Sequence, residues 1–319
     1  PSGRDLPPVR VGGQDGRLMD IPILPSAPDW FRDALAVPFT DETVEVEGVP
    51  IHSLAWGRPG TRGLVFVHGG GANAHWWTHV AARFVGDFRV VAIDLSGHGD
   101  SGHRETYALN TWTDEVVAVA EAGGIEGAPV VIGHSMGGFV SIATAARHPD
   151  RCAGVVVCDS PVTEPDPEIA SFHLKEAFGR PRTYDTVEDA LARYRTVPPQ
   201  DHYLDFVMDH VGRQSLKPVG GGYQWKFDRR IFEQFSEGMR SIALPFLSDV
   251  QCRLALLRSE HGLVTEDIGA FMYDKLGRVT PVIEIPEAGH HAMLDQPLIL
   301  LTALRAFLAD WDHSEPLTR

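Results

Sequence analysis

Six short apolar runs recur along the chain, at residues 63–68, 88–94, 128–133, 153–159, 252–257 and 280–285. Each is too continuous to be a strand with one wet face, so each reads as a strand buried on both faces. Between them lie stretches with helical spacing, at residues 76–85, 111–122, 136–148, 265–276 and 296–311. Strand and helix in alternation predict a parallel sheet covered by helices on both sides. Ahead of them, residues 43–47 and 51–56 flank Gly48-Val49-Pro50 and read as an antiparallel hairpin. The expected fold is therefore α/β, with a mostly parallel sheet of eight strands.

The rhythm breaks once. Residues 160–244 hold no buried-strand run, but carry proline turns, amphipathic pieces and many aromatics. An insertion there is expected to be a helical cap over the carboxyl ends of the strands, where open α/β sheets bind ligands. The 319 residues then divide as a proline-rich extension (1–40, with seven prolines), a core (41–160 and 245–319) and a cap (161–244). The extension reads as a wrapped segment without a regular element.

Composition narrows the partners. The chain has 43 acidic and 28 basic side chains, a net charge of −15, and no basic run. Nucleic acid and anionic membranes are poor partners for such a surface. No apolar run approaches a membrane span, and residues 1–20 lack the apolar core of a signal peptide, so a cytoplasmic location is expected. Cys152, Cys158 and Cys252 are an odd set without metal-ligand spacing and read as small buried hydrophobes. Neither His-Glu-x-x-His nor Gly-x-Gly-x-x-Gly after a strand occurs, so no metal or nicotinamide cofactor is expected.

The chemistry centres on Gly133-His134-Ser135-Met136-Gly137, set directly after one buried run and before a helical stretch. A strand-to-helix turn of this kind exposes the serine hydroxyl and leaves room only for glycine beside it. Here the chain resembles the α/β-hydrolase family, over residues 41–319. The resemblance implies that Ser135 is a nucleophile. It also implies that the loop His68-Gly69-Gly70-Gly71 supplies an oxyanion hole from the N–H groups of Gly70 and Met136. Asp94 and His98, in Asp94-Leu-Ser-Gly-His98-Gly-Asp-Ser101, match a loop that the family uses structurally.

The base and the acid follow from the same resemblance. Gly289-His290-His291 precedes the last helix, and the family's spacing of five residues to an acidic position, Asp295, selects His290 over His291. The usual acid is missing. Alignment of 259–262 on the family's Gly-x-x-Asp turn puts Gly262 where the aspartate would stand. The end of the preceding strand offers Asp159 instead, a layout similar to the haloalkane dehalogenase branch and to zearalenone-hydrolase lactonases. Asp159 is the leading acid and Glu260 the alternative.

A serine nucleophile disfavours dehalogenation and epoxide opening, which that branch performs with aspartate. A serine with a histidine base points to acyl transfer without a cofactor, and the aromatics of the insertion make a small to medium, mostly apolar carboxylic ester or lactone the expected substrate. Carbon–carbon bond hydrolysis uses the same triad, and a hydrolase-fold ligand receptor would keep it without turnover. Gly71, His134, Trp76 and Trp225 are the candidates to touch substrate. A homo-oligomer is compatible with all of this.

Overall fold

A computed structural model describes residues 22–164, 182–234 and 241–314. Eight strands form one sheet in the order β1-β2-β4-β3-β5-β6-β9-β10. Their ranges are β1 Phe39–Val46, β2 Val49–Trp56, β3 Gly63–Val67, β4 Arg89–Ile93, β5 Val130–His134, β6 Gly154–Cys158, β9 Arg253–His261 and β10 Val282–Gly289. β1, β2 and β4 pair antiparallel, and every other neighbour is parallel. The β1–β2 turn is Glu47-Gly48, both at positive φ (50° and 76°), which matches a tight hairpin to the twist of its strands.

Successive strand residues serve opposite faces. Leu64 and Phe66 of β3 join one apolar cluster, while Val65 and Val67 join the other. β5 and β6 alternate in the same way, so the apolar runs are runs because both faces are covered. The helices α3 (Leu109–Ala122) and α4 (Met136–Arg147) pack on one face, and the long helix Pro297–His313 on the other. The chain passes from β3 to β4 on one side, and from β4 it returns through α3 to β5 on the other side of β3. The carboxyl ends of β3 and β5 therefore border the switch point at which such sheets bind ligands.

Four expectations need correction. A helix, α1 (Asp29–Leu35), forms in the extension, because Phe31 and Ala34 share one face and bury completely. The helix expected over 76–85 is three short turns, Ala74–Trp76, Thr78–Ala81 and Ala82–Phe84. That stretch is buried nearly all round, so no wet face supports a continuous amphipathic helix. The inserted segment is not purely helical. Beside the helices Val187–Leu191 and Asp205–Gln214 it holds a hairpin, β7 (Leu216–Val219) with β8 (Gly222–Trp225), turned by Gly220-Gly221. Lastly, β9 and β10 run past their apolar cores to His261 and Gly289, so Glu260 lies in a strand. Among the described residues no helix is long and apolar enough to cross a membrane.

Candidate active site

Ser135 sits between β5 and α4 with φ 54° and ψ −120°, a strained conformation for a residue with a side chain. Such strain costs about 1–3 kcal/mol and persists only where the surroundings enforce it. They do so here through close approach. A Cβ on Gly133 would lie 2.2 Å from the Gly137 carbonyl oxygen, and one on Gly137 would lie 2.4 Å from that of Val67. The Ser135 N–H donates to the Cys158 carbonyl at 3.0 Å, tying the turn to β6. The serine stays half-buried while its neighbours are buried.

Three side chains from separate elements meet at this turn. His290 Nε2 lies 3.0 Å from Ser135 Oγ, and His290 Nδ1 lies 2.6 Å from Asp159 Oδ2. Asp159 follows β6 at φ 46° and is 2% exposed. Its carboxylate accepts the main-chain N–H groups of Ser259 (3.1 Å), Leu263 (2.7 Å) and Val264 (3.3 Å). Burial pushes this carboxyl up, but the hydrogen bond and charge of His290 and these N–H groups hold it below its ordinary range. An ionised Asp159 can only accept, so Nδ1 carries the proton and the Nε2 lone pair faces the serine hydroxyl.

The other acidic candidates are engaged elsewhere. Glu260, near the carboxyl end of β9, is exposed and accepts the Glu287 N–H at 2.8 Å instead of bonding His290. Asp94 is buried and accepts from Ala74 N (2.6 Å), Asp100 N (2.9 Å) and His52 Nδ1 (2.7 Å). It braces the turn after β4 against the turn after β3. His98 is fully buried beside His68, with ring centroids 4.7 Å apart. Asp295 accepts the Gly289 N–H at 2.6 Å and fixes the loop that carries His290; burial pushes its carboxyl up to about 6.

His134 does not touch the substrate space. It is 2% exposed, and its Nε2–H donates to the His290 carbonyl at 2.9 Å, so it supports the base from behind. Burial, then the neighbouring His290, lowers it to about 3 and keeps it neutral. His291 is held away from the serine by its Nε2–H, which donates to the Pro198 carbonyl at 3.1 Å. Ring nitrogens of His134, His290 and His291 lie within 4.8 Å of one another, close enough for one metal ion. His52, Asp94 and Asp100 form a second such group, away from the serine.

The turn after β3 lies against the serine. A Cβ on Gly69 would be 3.3 Å from Ser135 Cβ, and one on Gly70 would be 3.8 Å from Met136 Sδ. Gly71 has φ 72°. His68 accepts the Leu95 N–H on Nε2 (3.1 Å) and therefore donates from Nδ1 to the Gly69 carbonyl (2.7 Å), which locks the loop. Among the described residues, neither the Gly70 nor the Met136 N–H has an acceptor. Two adjacent unclaimed donors beside a hydroxyl suit a developing oxyanion.

A cavity of about 690 Å³ opens on this loop. Gly70, Gly71, Trp76, Trp225 and His291 line it, so three of the four residues expected to touch substrate border one space. Trp225 packs on Tyr194 with ring centroids 5.0 Å apart. The wall is less apolar than the sequence suggested, since arginine and lysine side chains also reach it.

Sequence reasoning missed two contributors. Gln200, from the insertion, accepts the His291 N–H (2.9 Å) on Oε1 and donates from Nε2 to Asp295 Oδ2 (2.9 Å). No motif marks it. His52 is gripped between Asp94 and Asp41. Burial alone would lower its imidazole, but hydrogen bonds to the two carboxylates raise it to about 10. Asp41 reaches it from the neighbouring strand of the β1–β2 hairpin, and Asp94 from the end of β4.

The chain belongs to the alpha/beta hydrolase family, whose model matches residues 64–303. Among characterised relatives, it is 28% identical over 286 residues to an esterase of Mycobacterium tuberculosis, covering 84% of this chain and 89% of that one. It is 26% identical over 250 residues to 2-(acetamidomethylene)succinate hydrolase of Mesorhizobium japonicum, covering 77% and 87%. A crystal structure of E-2-(acetamidomethylene)succinate hydrolase superimposes with a TM-score of 0.74 at 24% identity, covering 85% of this chain and 99% of that one.

Proposed function

We propose that this protein is a serine hydrolase that cleaves a carboxylic ester or lactone through an acyl-enzyme. The observation that carries the reading is the unbroken relay from Ser135 Oγ through His290 to Asp159, at 3.0 and 2.6 Å. His290 Nε2 takes the hydroxyl proton as Ser135 Oγ bonds to the substrate carbonyl carbon. The carbonyl oxygen gains negative charge and rests on the N–H groups of Gly70 and Met136. The C–O bond to the leaving alcohol breaks, and that oxygen takes the proton from His290. Water then attacks the acyl carbon as His290 takes its proton, the C–O bond to Ser135 Oγ breaks, Oγ takes that proton back from His290, and the acid leaves. Asp159 orients the imidazole and stabilises its cationic form.

The kinship with an esterase supports this chemistry. In this reading residues 41–160 and 245–319 carry the chemistry, and 161–244 cap it and select a small to medium substrate. The test is an ester and lactone panel on the wild type and Ser135→Ala, with mass spectrometry to trap an acyl adduct. Turnover in the wild type, its loss in Ser135→Ala and an adduct on the Ser135 peptide are expected. Full activity in Ser135→Ala would sink the reading.

A further inference from the structure

Around the cavity the charge balance of the chain is inverted. Acidic side chains outnumber basic ones by 43 to 28 in the whole sequence. The cavity wall holds six basic side chains, Arg182, Arg193, Arg195, Lys217, Arg229 and Arg230, against two acidic ones, Asp228 and Glu233. Asp228 is already spent. It accepts from Arg230 Nη2 at 2.6 Å and from the Tyr107 hydroxyl at 2.8 Å.

The remaining cations have no such partner. Among the described residues, Arg182, Arg193, Arg195, Lys217 and Arg229 form no ion pair with a carboxylate. Arg193 and Arg195 turn a guanidinium nitrogen to main-chain carbonyls, of Asp189 and of Ala192 and Tyr194, which orients them without neutralising them. Lys217 and Arg229 are half-buried. Lys217 stands on β7 opposite Gln224 of β8, so the hairpin holds it on the wall. Like charges gathered on one concave surface repel one another and concentrate an anionic ligand there.

We propose that the substrate carries an anionic group, a carboxylate or a phosphate, which lies against this cationic wall while its ester reaches the Gly70 loop. Trp76, Trp225 and Phe227 share the cavity and suit the carbon skeleton between the two ends. The substrate is then apolar in its body and charged at its far end. The inference rests on the hydrolase reading of Ser135.

The experiment compares kcat/KM for 4-nitrophenyl butyrate, the 4-nitrophenyl monoester of glutaric acid and 4-nitrophenyl 4-phosphonobutyrate. In low salt one or both anionic esters should be favoured by about tenfold or more, and molar NaCl should erode that preference. The ratio of anionic to neutral kcat/KM should fall by about tenfold or more in Lys217→Glu/Arg229→Glu. The salt arm uses the unaltered protein, so a misfolded variant does not decide the matter. The carboxylate and phosphonate arms tell the two anions apart. A neutral ester favoured at every salt concentration, or a ratio untouched by charge reversal, overturns the proposal. Calorimetry of glutarate and methylphosphonate with Ser135→Ala separates the two readings. Anion binding without turnover of any ester in the wild type overturns the hydrolase but keeps the wall. Turnover without anion binding does the reverse.

Discussion

Gly262 and Asp159 share one place: a Cβ on Gly262 would lie 2.3 Å from Asp159 Oδ2. By the family resemblance, Gly262 falls where the usual acid would stand. The loop after β9 carries no carboxylate at that place and turns the N–H groups of Leu263 and Val264 onto the one that arrives from β6. Two backbone routes thus lead to a single anionic position beside His290.

That convergence makes the acid transferable. Asp159→Asn should lower kcat by roughly 10³-fold or more, through loss of the charge that orients and stabilises His290. Gly262→Ala should lower kcat as well, because its methyl group displaces the carboxylate. Asp159→Gly/Gly262→Asp should recover at least about tenfold of the activity lost in Asp159→Gly. Steady-state kinetics on the four variants checks this, and a double variant no better than Asp159→Gly refutes it.

Gln200 holds both His291 and Asp295, and a Cβ on Gly289 would lie 2.7 Å from its side-chain amide. Gln200→Ala should lower kcat by about tenfold, since a base misplaced by a fraction of an ångström loses rate steeply. KM for a neutral ester should move much less. A change confined to KM would show that Gln200 shapes the cavity instead of the loop.

Stability should fall in alkali. The His52 imidazole titrates near 10 in the fold against an ordinary 6.5. A group whose folded pKa is raised contributes stability that is complete below its unfolded value and is lost as pH climbs to the folded one. Thermal unfolding between pH 6.5 and 10 should therefore show a decline of the order of a few kcal/mol from this group. His52→Gln should flatten that decline while lowering stability at neutral pH. An unchanged slope in the variant would place the titration elsewhere.

The three clustered imidazoles should make the enzyme sensitive to zinc. No step of the proposed reaction calls for a metal, so EDTA should leave the rate unchanged. Added Zn²⁺ should occupy the lone pair of His290 with help from His134 or His291, and inhibit reversibly. Rate measurements with Zn²⁺ and then EDTA test this, and His291→Phe should weaken the inhibition.

Local pattern made much of this legible. The buried strands announced themselves because each is apolar on both faces, and Ser135 because its turn tolerates only glycine at 133 and 137. Asp159 could be reached by noticing that Gly262 stands where a carboxylate was due. The turns at 74–84 were harder, since a stretch buried all round has no period to read. Gln200, the Asp41–His52–Asp94 cluster and the cationic wall depend on contacts between distant segments. Only the doublet Arg229-Arg230 and the pair Arg193 and Arg195, set in an acid-rich chain, hinted at the last.

The grip of Gln200 also bears on engineering. A segment that chooses the substrate looks like an exchangeable module, to be replaced by a relative's to change specificity. Here one residue of that segment is part of the scaffold of proton transfer. A graft that swaps residues 161–244 wholesale would alter selectivity and detune the base together. A graft that keeps the stretch around Gln200, from Pro198 to Tyr203, would separate the two.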